Sequence, residues 1–143
     1  MQTFLTHSAE ETKRLGKKLA KEIRAGALVC LEGDLGAGKT TFVQGFLEEM
    51  GAARPYVSPT FVIMKQYDLP TQRNGIERVY HADAYRVETK DFANLGFVEW
   101  CADKQGIVLL EWPERVQDLI SCEALFINFV SKMDGEREII VEG

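Results

Sequence analysis

The chain has 143 residues, 45% of them apolar, and a net charge of −5. That length fits one compact domain spanning 1–143, able to bury a core without disulfide or metal staples. No apolar run is long enough for a bilayer-spanning helix, and the acidic balance disfavours autonomous nucleic-acid binding, because phosphate contacts dominate that affinity.

The opening Met1-Gln2-Thr3-Phe4-Leu5-Thr6 lacks a basic segment followed by an apolar core, so no signal peptide is expected. Ser8 and Glu11 form a capping box at the start of a helix. Leu15, Leu19 and Ile23 make its apolar stripe, Lys13, Lys17, Lys18 and Lys21 a solvated face, and Gly26 its end. Ala27 to Glu32 (ALVCLE) reads as a buried parallel strand. Thr41 to Met50 reads as a helix closed by Gly51.

Between that strand and helix lies Gly33-Asp34-Leu35-Gly36-Ala37-Gly38-Lys39-Thr40, which fits the phosphate-binding pattern G-x-x-x-x-G-K-[ST]. Glycines let such a loop turn its amides inward, so Asp34, Leu35, Gly36, Ala37 and Gly38 are expected to cradle a polyphosphate. Lys39 would neutralise the β and γ phosphates, and Thr40 would give its hydroxyl to magnesium. The helix N-terminus adds partial positive charge at the same place.

Two prolines make Arg54 to Thr60 an extended loop. Thr60 there could sense a γ phosphate, although hydroxyls also cap turns. Phe61 to Tyr67 and Ile76 to Asp83 read as a strand hairpin around a turn at Pro70 to Gly75. The second strand ends in His81-Ala82-Asp83-Ala84-Tyr85-Arg86. Asp83 could activate water or share a metal shell, or it could pair with Arg86 to hold the turn. Alternation puts His81 and Asp83 on one face.

Asp91 to Asp103 holds one or two short helices broken near Gly96. Gly106 to Leu110 is an apolar strand, and Glu111 at its end suits a Walker B carboxylate that holds magnesium through water or orients the attacking water. Trp112 either packs or reports nucleotide state. Pro113 can start a short helix to Leu119. Glu123 to Ser131 and Arg137 to Glu142 are strands joined by a turn at Met133-Asp134-Gly135. The βα start followed by strands indicates an α/β, P-loop NTPase-like three-layer domain, with a mixed sheet and antiparallel additions.

Cys30, Cys101 and Cys122 are isolated and odd in number, so neither a disulfide framework nor a metal site is expected, and a reducing cytoplasm fits. No [NT]-K-x-D element for guanine selection is present. No arginine stands out as a finger, so slow intrinsic hydrolysis is expected.

In series, Gly33 to Thr41 (GDLGAGKTT), Ser58 to Phe61 (SPTF) with Tyr67, His81 to Arg86 (HADAYR) and Leu110-Glu111-Trp112 resemble the bacterial tRNA threonylcarbamoyladenosine biosynthesis ATPase family, TsaE, formerly YjeE. The resemblance runs over nearly the whole chain. It implies a cytoplasmic, magnesium-dependent ATPase that assists the TsaB–TsaD complex in modifying adenosine-37 of tRNA, meeting tRNA only through that complex. It also implies Lys39, Thr40 and Thr41 at the phosphates and magnesium, and Thr60 in a switch-like loop. Asp83 would take the catalytic or metal-shell position, Glu111 the Walker B position and Trp112 an adjoining switch-like position. A small P-loop kinase and a nucleotide-gated binding module without required hydrolysis are the competing expectations.

Overall fold

Among the described residues there are seven strands: β1 (Gln2–Thr6), β2 (Leu28–Gly33), β3 (Met64–Arg73), β4 (Ile76–Asp83), β5 (Gly106–Glu111), β6 (Leu125–Ser131) and β7 (Arg137–Glu142). They form one sheet in the order β1-β7-β6-β2-β5-β4-β3. A computed structural model describes residues 1–143 except Leu35 and Cys122, so the expectations for those two residues lie outside the described residues. The four central strands β6, β2, β5 and β4 run parallel, while β3, β7 and β1 add antiparallel edges. The mixed sheet and three-layer plan therefore follow the sequence reading.

Helices α1 (Ala9–Glu22) and α2 (Lys39–Met50) cover one face. Leu15 and Leu19 of α1 meet Phe42, Val43 and Phe46 of α2 above Val29, Leu31 and Leu109 of the sheet. Burying each large side chain there stabilises the fold by about 2 kcal/mol. The two helices approach closely because Gly16 and Gly45 meet across them. A methyl group on Gly16 would strike the Phe42 carbonyl, and one on Gly45 the Lys13 carbonyl. The opposite face is covered by α3 (Thr89–Asn94), α4 (Phe97–Ala102) and the 3-10 helix Pro113–Leu119. Phe92, Phe97, Trp100 and Val116 pack there on Cys30, Val108 and Leu110. Burial pushes the Cys30 thiol up to about 12, which makes it a core side chain and not a reactive one. Among the described residues no helix is long and apolar enough to cross a membrane.

Several boundaries differ from expectation. Strand β1 was not anticipated; it pairs with β7 at the sheet edge and places Phe4 against the core. Ser8 caps α1 by accepting from the Glu11 N–H at 3.1 Å, but the Glu11 carboxylate accepts from the His7 N–H, one residue outside the expected box. The helix ends at Glu22, before Gly26, and Ile23 is extended while still buried. Lys13 and Lys17 are not simply solvated, since both pair with Glu48 of α2. The hairpin is displaced too. Phe61 and Val62 lie outside any strand and are exposed, and β3 starts at Met64 and continues through Pro70 to Arg73. An edge strand can hold that proline, because its missing N–H removes no ladder bond on the solvent side. The turn is only Asn74 and Gly75, both with positive φ.

Candidate active site

The parallel strands β2, β5 and β4 all point their C-terminal ends at one cleft of about 370 Å³. Ligands of open α/β sheets bind at that end. The phosphate-loop pattern leaves β2 at Gly33, whose φ of 141° brings its backbone against the Phe129 carbonyl on β6 with no room for a side chain. Gly38 sits at the N-cap of α2 with φ 107°, so the first turn of that helix opens toward the cleft with no side-chain cap over it. The first N–H groups of a helix have no intrahelical partner and are the donors an anion requires.

Lys39 is buried, and its ammonium donates to the Gly33 carbonyl at 2.7 Å while sitting 4.3 Å from the centre of the Trp112 ring. Trp112 is held at φ 61°, a conformation costing a bulky residue about 1–3 kcal/mol. Its ring in turn meets Tyr85 at 4.8 Å in a tilted contact, and the Arg115 guanidinium lies over the Tyr85 ring at 4.9 Å. Lysine, indole, phenol and guanidinium thus form a chain of contacts from the glycine loop to the 3-10 helix.

Asp83 and Glu111 end neighbouring strands and are direct partners in the β4–β5 register. Both are buried, which rules out a solvated strand end for Glu111. Asp83 accepts from the Tyr85 N–H at 2.8 Å and from the Thr60 hydroxyl at 3.4 Å. Burial pushes its carboxyl above the usual value. The Tyr85 N–H opposes that shift, Glu111 adds to it, and His81 and Lys39 pull it down. No Asp83–Arg86 pair forms; Arg86 lies over the Phe61 ring at 4.8 Å instead. Glu111 meets His81 Nε2 at 2.7 Å, and His81 Nδ1 has no hydrogen-bond partner among the described residues. His81 faces α2 with Asp83 on the same side of β4, as alternation requires.

Gly36, Gly38, Lys39, Thr40, Thr41, Thr60, Asp83, Glu111 and Trp112 all line this cleft. Asp34 and Ala37 do not; Asp34 is exposed and accepts the Ala37 N–H at 3.1 Å, and the Ala37 methyl is buried in the core. Ser58 joins the lining, with its hydroxyl 2.9 Å from that of Thr60. Tyr85, Arg86 and Arg137 line it as well, although none had been expected to act there. Tyr85 and Arg86 lie inside a motif the sequence displays. Arg137 carries no local signal, because only the β7 register brings it to the loop.

Among the described residues no three His, Cys, Asp or Glu side chains form a self-sufficient metal site. Magnesium does not require one, because it is usually held by one or two carboxylates, water and substrate phosphates. Thr40 at the helix N-terminus, lining one cleft with the two buried carboxylates Asp83 and Glu111, fits that manner of binding.

The family model described as "Threonylcarbamoyl adenosine biosynthesis protein TsaE" matches residues 6–139. The tRNA threonylcarbamoyladenosine biosynthesis protein TsaE of Bacillus subtilis (strain 168) is 41% identical over 134 residues, covering 94% of this chain and 80% of that protein. The protein of the same name from Treponema pallidum (strain Nichols) is 34% identical, covering 96% of this chain and 97% of its own length. The crystal structure of Bacillus subtilis YdiB matches with a TM-score of 0.73 at 36% identity, over 96% of this chain and 82% of that one.

Proposed function

This chain belongs to the TsaE family of threonylcarbamoyladenosine biosynthesis proteins, and from that premise we propose that it is the magnesium-dependent, ATP-binding and ATP-hydrolysing subunit of a tRNA-modifying assembly. It acts in the cytoplasm with the TsaB–TsaD complex in forming threonylcarbamoyladenosine at adenosine-37, and it meets tRNA only through that complex. The observation that carries this reading is the convergence of Lys39, Thr40, Asp83 and Glu111 on one cleft at the mouth of the glycine loop.

The residues divide the work by position. The amides of the loop and the first turn of α2 hold the phosphate chain, and Lys39 exchanges the Gly33 carbonyl for phosphate oxygens. Thr40, Glu111 and Asp83, which line the cleft together, would hold magnesium. Magnesium, when bound, supplies charge neutralisation on the transferring group. His81 holds the Glu111 carboxylate in one orientation. Asp83, whose carboxyl burial pushes above its usual value, accepts the proton of the attacking water. Thr60, tied to Asp83, connects that carboxylate to the exposed loop carrying Phe61 and Val62.

ATP turnover by the purified chain, alone and with TsaB–TsaD, tests this proposal. Slow turnover alone and faster turnover with the complex are expected. Asp83→Asn and Glu111→Gln should retain nucleotide binding while losing about a hundredfold or more in turnover. No wild-type turnover in either state defeats the proposal.

A further inference from the structure

Arg137 is the first residue of β7, 101 positions from Gly36, yet its Nη2 donates to the Gly36 carbonyl at 3.3 Å. Its side chain lies directly against the loop. A Cβ built on Gly38 would sit 2.9 Å from Arg137 Cδ and 3.2 Å from Nε. The carboxylates beside it in the chain are engaged elsewhere, Glu136 with His7 at 3.2 Å and Glu138 with Lys132 at 3.8 Å. Among the described residues no carboxylate pairs with Arg137. It is a half-buried guanidinium lining the cleft, and its acceptor among the described residues is the neutral Gly36 carbonyl.

The sheet order says which end of a ligand it would meet. Strand β2 carries the loop. The carboxylates Glu111 and Asp83 lie on one side of it, on β5 and β4, while Arg137 lies on the other, on β7 beyond β6. A nucleotide whose terminal phosphate and metal face the carboxylates would have the Arg137 side of the loop open to its nucleoside. A loop that turns its amides inward to an anion turns carbonyls outward. A guanidinium bonded to one of those carbonyls sits outside the phosphate cradle. The guanidinium plane is weakly hydrated and suits stacking on an aromatic ring.

We propose that Arg137 is a nucleotide-contacting residue that stacks on the base at the nucleoside end of the cleft. This rests on the ATP-binding reading above and names a residue that β7 supplies to it. The test is titration calorimetry with magnesium and ATP, ADP or inorganic tripolyphosphate, on the wild type, Arg137→Ala and Arg137→Gln. Both variants should weaken ATP and ADP by about tenfold and alike, while tripolyphosphate changes less than about twofold. Glutamine keeps a donor for the Gly36 carbonyl, so wild-type affinity in Arg137→Gln with loss only in Arg137→Ala would make Arg137 a loop support and overturn the proposal. Equal losses on tripolyphosphate would make it a phosphate ligand, and unchanged ATP affinity in both variants would remove it from the site; either result overturns the proposal. If the wild type bound neither ATP nor tripolyphosphate, the underlying nucleotide reading would fail instead.

Discussion

Lys39 holds its ammonium between a carbonyl and an aromatic face, and neither partner carries a charge. A phosphate oxygen is a stronger partner than both, since charge-assisted hydrogen bonds are about twice as strong as neutral ones. Nucleotide binding should therefore draw the ammonium off the Trp112 ring and change the surroundings of that indole. The expected outcome is a saturable change in tryptophan emission on adding magnesium and ATP. Trp112→Phe should abolish it, because the remaining indole, Trp100, is packed between Tyr80 and Phe92 on the far face of the sheet. A persistent signal in Trp112→Phe would break the proposed link between lysine and ring. Much of this site was legible in the sequence, because Lys39, Asp83 and Glu111 each sit at the end of an apolar strand or the start of a helix, where local pattern fixes their position. Arg137 and the Trp112–Tyr85 contact were not legible. Their positions depend on strand order and on one positive φ, which neither spacing nor composition encodes.

The contact between α1 and α2 is built on missing side chains. Gly16→Ala should destabilise the protein by about 1–3 kcal/mol, because the added methyl meets backbone, which cannot swing aside as a side-chain tip can. Urea denaturation should show a lower midpoint with an unchanged slope. A second element-level tie is the Arg78–Asp103 pair at the opposite end of β4 and β5 from the cleft. The Arg78 guanidinium beside Asp103, with help from the Tyr80 hydroxyl and the Gln105 N–H, holds its carboxyl well below the usual carboxylate range. A depressed folded-state value means the stabilisation is complete above the unfolded value, about pH 4, and is lost as pH falls through the folded one. Asp103→Asn should thus lower the thermal midpoint at pH 7, and the deficit should shrink steadily below about pH 4. A deficit that stayed constant into acid would show that the carboxylate charge is not what matters. Most strands and helices were readable because their apolar period, caps and breakers agree, as at Ser8, Gly51 and Gly96. Strand β1 and the start of β3 were not readable. Both lie at sheet edges and more than half of each is solvent-exposed, so little of the pattern is apolar, and the partner of β1 is β7 at the far end of the chain.

Across the whole molecule, the cleft joins parts that the chain otherwise connects only through the sheet: the loop after β2, the ends of β4 and β5, and the segment holding Thr60. A ligand gripping all of them adds its binding free energy to the folded state alone, because the unfolded chain has no cradle. At a free concentration one hundred times the dissociation constant that gain is about 2.7 kcal/mol. For a domain of this size it corresponds to a rise of about 8 °C in the thermal midpoint. Magnesium with ATP should produce a shift of that order in wild-type protein, and Lys39→Ala should remove most of it. Asp103→Asn should begin from a lower midpoint and still show the full shift, since its ion pair shares no partner with the cleft and distant effects add. A full shift in Lys39→Ala would place the nucleotide elsewhere on the molecule. A shift lost in Asp103→Asn would mean that the carboxylate-bearing strands are held in register from their far ends, and that the cleft depends on the sheet's integrity more than on its own residues.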